Sequence, residues 1–353
     1  MSRTATMHNV LIVGGGSIGE RHLRCFLATG RVTVSLCESR KERLSDLAAK
    51  YPLTGSFENI EAVALSEFSA AVICVPAPLH IPLARRFAEA GLHLLIEKPL
   101  AISLDGVEEL SRVVDEKRLV VGVAHVARAR RVSRAVKELA DSGVIGPVRS
   151  AVLMSGYDHR QARPDYRETY FARRETGGGV IQDALPHSVN LVQWLMGPVA
   201  SVMAAYDHLE IEDIEADDTA SLLLRFRDNG AMGNLHCNAW QACRSNTISL
   251  AGPEGNILGD VTQSRVGMFL RKRQEWTWTD IPREQPDAKG QLDEPFVVQA
   301  NNFLDAIAGR GRLLCTLAEA QHTVEVCMAA LESGRRRQTV DILVKSAVGG
   351  RDA

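Results

Sequence analysis

From Asn9 to about Ala124 short apolar runs alternate with amphipathic stretches. The runs Val10–Val13, Val32–Cys37, Ala70–Val75, Leu92–Ile96 and Leu119–Val123 show almost no polar alternation, as strands covered on both faces require. Helical periodicity fills the gaps near 17–29, 40–50, 80–90 and 104–117. Strand and helix in strict alternation predict a doubly wound α/β domain built on a parallel sheet.

After a linking helix near 129–142 and a turn over Ser142–Pro147 the pattern changes. Thr219–Phe226, Ala231–Cys237, Thr247–Ala251, Met268–Arg271 and Glu275–Ile281 alternate apolar with polar residues, separated by Asp-Asn-Gly and Gly-Pro-Glu-Gly turns. That predicts an open, mostly antiparallel sheet of α+β type with helices near 180–196, 296–309 and 317–333 on one face. The other face is then free for a second subunit, giving a homodimer or homotetramer. The expected division is 1–124 and 125–353, with the C-terminal helix packing back on the first domain.

Length fits two domains: the chain has 353 residues, against roughly 100–200 for one domain. Apolar residues make up 45% and the net charge is −2 with both signs interspersed. Such a surface has no basic field to hold nucleic acid or an anionic membrane. No apolar run approaches the roughly 20 residues of a membrane span, and Met1–Asn9 lacks the apolar segment of a secretory signal. A cytoplasmic location is expected. Seven cysteines without a CxxC pair predict reduced packing residues and no structural metal.

Gly14-Gly15-Gly16-Ser17-Ile18-Gly19 follows the first strand and opens a helix, the context that makes GxGxxG a dinucleotide signal of the Rossmann type. Gly14 permits the turn, Gly16 lets a pyrophosphate approach, and Gly19 lets the helix pack close to the strand. The helix N-terminus offers unpaired N–H groups to phosphate. Glu38, at the end of the second strand, can accept both hydroxyls of an adenosine ribose, which favours NAD. Arg40, Lys41 and Arg43 follow and can offset repulsion of a 2′-phosphate, so NADP is disfavoured without being excluded. The same cations equally suit a solvated helix face.

Three further segments carry chemistry: Val75-Pro76-Ala77-Pro78-Leu79-His80, Glu97-Lys98-Pro99, and Gly177-Gly178-Gly179 leading to Asp183-Ala184-Leu185-Pro186-His187. The first two follow strands, where open α/β sheets bind ligands. With the glycine turn and His22 they closely resemble the Gfo/Idh/MocA family of glucose-fructose oxidoreductase and inositol dehydrogenase relatives, over essentially the whole chain. The resemblance implies hydride transfer between a nicotinamide and a CH–OH group in a cleft between the domains. It maps catalytic roles onto Lys98, Asp183 and His187, cofactor contacts onto Pro76, His80 and Glu97, and a cis bond before Pro99. Val75 stands where the family often has a hydroxyl residue.

Chemistry supports that mapping. Histidine is the side chain that takes a proton near neutral pH, and Lys98 can stabilise the developing alkoxide. Asp183 lies one helical turn before His187 and can orient a hydroxyl or tune the imidazole. Pro186, tolerated only in a first turn, makes a capping role for Asp183 the competing reading. His22 is expected to pack in the first helix. Asn190, just beyond His187, can bind a substrate hydroxyl or cap a turn.

The stretch from Tyr157 to Arg174 is dense in Tyr, Arg and Asp. Tyr157, Arg160, Arg163, Tyr166 and Arg167 suit a sugar acid or nucleotide-sugar, and they equally suit an Arg–Asp mesh that holds the loop. The expected activity is oxidation of a secondary alcohol, or reduction of the ketone, in a sugar, cyclitol or sugar derivative. An NAD-dependent glycosidase and a non-catalytic NAD-binding scaffold are the alternatives; retained Lys98, Asp183 and His187 argue against the scaffold.

Overall fold

The computed structural model describes residues 7–285 and 293–342. Strands β1 (His8–Val13), β2 (Val32–Cys37), β3 (Gly55–Phe57), β4 (Ala70–Ile73), β5 (His93–Ile96) and β6 (Val121–Val123) form one sheet in the order β3-β2-β1-β4-β5-β6. All its pairings are parallel. Helices α1 (Ser17–Ala28), α2 (Lys41–Lys50), α3 (His80–Glu89) and α4 (Val107–Glu116) cover it. The two-residue period of a strand divides β1 between two cores. Val10 and Ile12 meet Leu23, Phe26 and Leu36 on one side, while Leu11 and Val13 meet Phe87, Leu94 and Leu110 on the other. Strand order reverses between β1 and β4, which opens a crevice at the carboxyl ends of the strands.

A short turn over Val126–Ala129 leads into α5 (Arg131–Asp141) and a second sheet. Its strands are β7 (Ser150–Asp158), β8 (Val199–Asp207), β9 (Thr219–Phe226), β10 (Met232–Asn238), β11 (Trp240–Gly252), β12 (Gly255–Asp260), β13 (Arg265–Leu270), β14 (Trp276–Asp280) and β15 (Val340–Asp341). The order is β14-β13-β12-β11-β7-β10-β9-β8-β15. Only the β7–β10 pairing is parallel among the described residues. A short helix α6 (His159–Ala162) follows β7, and α7 (Leu185–Met196) precedes β8. Between β14 and β15 come α8 (Glu294–Ile307) and α9 (Leu317–Arg336). Helices α5, α7 and α9 pack on one face of this sheet. The opposite face carries exposed Met154, Met203, Leu223 and Met232.

The C-terminal part interlocks the two sheets. Ala300, Phe303 and Leu304 of α8 complete the core beside α1. The segment before α9 pairs with β6 through Val123 N–H donating to the Cys315 carbonyl, which covers that sheet edge. Thr316 and Glu319 form a reciprocal capping box that starts α9 there. Beneath the junction the buried Arg128 guanidinium donates to the Leu314 carbonyl, the Asn190 carbonyl and the Glu319 carboxylate. Among the described residues no helix is long and apolar enough to cross a membrane.

Candidate active site

A cleft enclosing about 1590 Å³ of space open to solvent runs between the two sheets. Its floor comes from the carboxyl ends of the parallel strands, through Ile18, Glu97, Lys98 and Ala124, and its opposite wall from Tyr157, Asp183 and His187.

At the first-sheet end the residues fit a dinucleotide. Gly16 caps α1 without any side-chain hydrogen bond, so the N–H groups of the first turn, including Ser17 and Ile18, remain available to an anion. A methyl group built on Gly16 would meet no protein atom within 4 Å; the space there is open. Glu38 stands at the end of β2 and accepts from Gly15 N–H at 2.6 Å. Hydrogen bonds from the Arg40 side chain, which outweigh burial, lower its carboxyl to about 2. A permanently ionised acceptor at this point matches ribose hydroxyls.

The chemistry gathers where the domains meet. Lys98 Nζ donates to Asp183 Oδ1 at 2.8 Å and to the Asp183 carbonyl at 3.0 Å. The Tyr170 hydroxyl donates to the same Oδ1 at 2.7 Å. Burial alone would raise the Asp183 pKa, but the Lys98 charge and these two donors hold it at about 2. Burial works against the Lys98 ammonium, and Asp183 reverses the effect, so the Lys98 pKa moves up. His187 lies in the same cleft, edge-on to His125 with ring centres 6.3 Å apart. Burial first and the Lys98 charge second lower His187 to about 4 despite the opposing pull of Asp183. The imidazole is therefore neutral at physiological pH, the form in which it can accept a proton.

The local fold explains how Asp183 and His187 converge. Residues Val180–Ala184 form a π-helical turn and regular α-helix begins at Leu185. Pro186 thereby falls in the first turn of α7, where its missing N–H costs no helical bond. Any side chain on Gly178 would collide with the carbonyls of Tyr170, Phe171 and Arg173. The glycine lets the Tyr170 turn lie close enough to reach Asp183.

Comparison with known proteins gives a consistent result. Residues 8–125 match the model described as "Oxidoreductase family, NAD-binding Rossmann fold", and residues 133–258 match the GFO/IDH/MocA C-terminal domain. The chain belongs to the Gfo/Idh/MocA oxidoreductase family. It is 21% identical to levoglucosan dehydrogenase of Pseudarthrobacter phenanthrenivorans, covering 95% of this chain and 98% of that one. It is 22% identical to scyllo-inositol 2-dehydrogenase (NAD(+)) of Bacillus subtilis, covering 96% and 97%. A solved levoglucosan dehydrogenase in complex with NADH and levoglucosan superposes with a TM-score of 0.84 at 21% identity, covering 96% of this chain and all of that one.

Within this Gfo/Idh/MocA chain several side chains expected at the site stand elsewhere. Asn190 is fully buried and donates to Thr323 Oγ1 at 2.9 Å and to Cys315 Sγ, joining α7 to α9 rather than meeting substrate. Three residues past His187 it shares that face of α7, but at this level of the helix the face is covered by Cys315 and by Thr323 of α9. Tyr166 is buried with its hydroxyl on the Glu212 carbonyl. Arg160 forks onto Asp158, and Arg167 pairs with Asp213. Arg163 is exposed and lies outside the cleft lining. The Arg–Asp mesh is thus what the loop forms, and of its expected ligands Tyr157 alone lines the cleft.

On the cofactor side, the two ring nitrogens of His80 lie 2.8 Å from the Val75 and Pro99 carbonyls, so the ring sits between two strand-end loops and its N–H donates to one of them. Arg40 is folded onto Glu38 instead of reaching outward. Pro76 is exposed at the start of the turn after β4. Glu97 lines the cleft but spends one oxygen on His22 at 2.6 Å, giving that histidine a partner that helix packing alone does not suggest. The peptide bond Lys98–Pro99 is cis. Arg130 and Arg244 are site-side residues that sequence patterning did not single out, since each depends on a loop or a strand irregularity; Tyr170 belongs to the Tyr- and Arg-rich stretch read from the sequence, which assigned it no role at the site.

A titration checks the electrostatics. The His187 ring resonance, followed by NMR, is expected to titrate near 4. In Lys98→Met it moves upward, because loss of the neighbouring ammonium removes the larger of the two cationic influences, Lys98 and Arg130, that add to burial in disfavouring imidazolium. An unmoved midpoint would show that the Lys98 charge does not act on the ring.

Proposed function

We propose that this NAD-dependent oxidoreductase oxidises a secondary alcohol of a sugar or cyclitol, with Lys98, Asp183 and His187 as its catalytic group. The carrying observation is that the Lys98 ammonium, at the end of β5, and the Asp183 carboxylate, from the other domain, meet at 2.8 Å in the cleft that His187 also lines. NAD, when bound along Gly14–Gly19 and Glu38, supplies the acceptor for the hydride leaving the carbinol carbon. Lys98 donates to the hydroxyl oxygen and stabilises negative charge as it develops. The neutral His187 takes the hydroxyl proton. Asp183 holds the ammonium in place, with Tyr170 fixing the carboxylate. In the reverse direction His187 returns the proton to a reduced ketone.

The names of the full-length relatives, which act on levoglucosan and scyllo-inositol, support a polyhydroxylated ring as substrate. The test is appearance of NADH absorbance when the protein and NAD meet a panel of sugars, cyclitols and anhydrosugars. Turnover with at least one member is expected. Glycoside cleavage without net NADH would instead identify a glycosidase.

The functional division falls near residue 125 in this proposal, between the cofactor half and the substrate half. A cytoplasmic setting is supported by cysteines that form no disulfide among the described residues. The apolar sheet face bearing Met154, Met203 and Leu223 is assigned to a second copy of the chain. Met154→Glu with Leu223→Glu is expected to halve or quarter the mass measured by light scattering. An unchanged mass would remove that face from the interface.

A further inference from the structure

Strand β11 does not pair evenly with β7. Trp240 lies opposite Asp158, yet the next pair is Ser245 with Gly156, so residues 241–244 bulge out against the single residue Tyr157. The bulge is supported from inside. Gln241 folds beneath it, donating to the Cys243 carbonyl at 2.6 Å and to Ser245 Oγ at 3.1 Å and accepting from Asn238. A side chain at position 156 would collide with Gln241, and glycine stands there. Bulges of this kind re-aim a side chain beside an active site; this one delivers Arg244 to the cleft wall next to Tyr157, Ser245 and Asn246.

The charge at that wall is uncompensated. Every other cation lining the cleft is paired: Lys98 with Asp183, Arg130 with Glu284 and Arg21 with Asp293. The Arg244 guanidinium has no ion-pair or hydrogen-bond partner among the described residues. Tyr157, Asp183 and Arg244 line the same cleft, and burial chiefly raises the Tyr157 phenol, with Asp183 adding to the rise and Arg244 opposing it. A substrate ring in this cleft can meet Lys98 and His187 at its carbinol and, along the Tyr157 wall, a guanidinium fork suited to a carboxylate.

We propose that Arg244 is a specificity residue and that the substrate is an acidic sugar, carrying one carboxylate that Arg244 receives across the ring from the oxidised carbinol. The inference rests on the dehydrogenase reading above and narrows its substrate class. A single surplus positive charge matches a monoanion better than a nucleoside diphosphate.

Calorimetry on the NADH-saturated protein tests it with matched pairs, methyl glucoside against methyl glucuronide and methyl galactoside against methyl galacturonide. In at least one pair the acid is expected to bind ~10–100-fold tighter, the range of a charge-assisted hydrogen bond. The preference is lost in Arg244→Gln and largely restored in Arg244→Lys, while NADH affinity stays unchanged in both. Acids that bind no tighter than their neutral partners, or not at all, overturn the inference, as does a preference that survives Arg244→Gln. Failure of NADH itself to bind would fall on the dehydrogenase reading; NADH binding with turnover of neutral sugars alone would fall on Arg244 only.

Discussion

His187→Ala is expected to lower kcat for alcohol oxidation by about 10²–10⁴-fold, the usual contribution of a positioned general base, and Lys98→Met by about 10²–10³-fold, the usual cost of one donor to a developing oxyanion. The two losses differ in kind. Hydroxide can replace a missing base, so the residual rate of His187→Ala rises with pH. Wild type instead shows a plateau above an acidic limb near 4, the value to which burial and Lys98 bring the imidazole. Lys98→Met has no such recovery, since no solvent species stands in for a fixed ammonium hydrogen-bonded to Asp183. It also leaves Asp183 with Tyr170 alone, so its carboxyl pKa rises from about 2. Steady-state kinetics across pH, with NADH affinity measured by fluorescence as a control, separates these cases. Unchanged turnover in both variants would remove the mechanism.

The parallel sheet was legible in the chain because strands buried on both faces leave uninterrupted apolar runs, as Val32–Cys37 does. Its edge strand β3 escaped notice: three residues, Gly55–Phe57, are too few for any pattern. In the second sheet β9 shows buried and exposed residues in clean alternation, whereas β8 does not, since Met203 on its exposed face is as apolar as Val202 on its buried one. A sheet whose outer face is itself apolar hides its own period. The same division holds at the site. Lys98, Asp183 and His187 sit in motifs whose residue types and spacing are local. Arg244 reaches the cleft through a bulge whose existence depends on pairing with β7, and no spacing within β11 reveals that. Arg160 and Arg167, which look like anion ligands in sequence, are neutralised by Asp158 and Asp213. For Arg167 the partner lies 46 residues away.

The glycine turn separates two physical roles that the motif runs together. In Gly19→Ala the new methyl group would overlap the Gly14 carbonyl oxygen. That atom belongs to backbone at φ +95°, itself packed against the Cys74 carbonyl, so α1 must move away from β1. Overpacking of this sort costs about 1–3 kcal/mol, so the cofactor-free protein melts lower, and an ångström of displacement in the helix that seats the cofactor costs about 10²-fold in turnover. In Gly16→Ala the methyl group meets no protein atom within 4 Å, and the backbone at φ −61° is open to any residue. Here the cofactor-free protein melts at the wild-type temperature while NAD affinity falls, since the methyl occupies the space through which the pyrophosphate reaches the α1 N–H groups. Thermal melts without cofactor, set beside NADH titrations, distinguish the two. If Gly16→Ala bound NADH as tightly as wild type, the pyrophosphate would have to lie away from α1, and the carbinol site built around Lys98 would lose the nicotinamide it is meant to face.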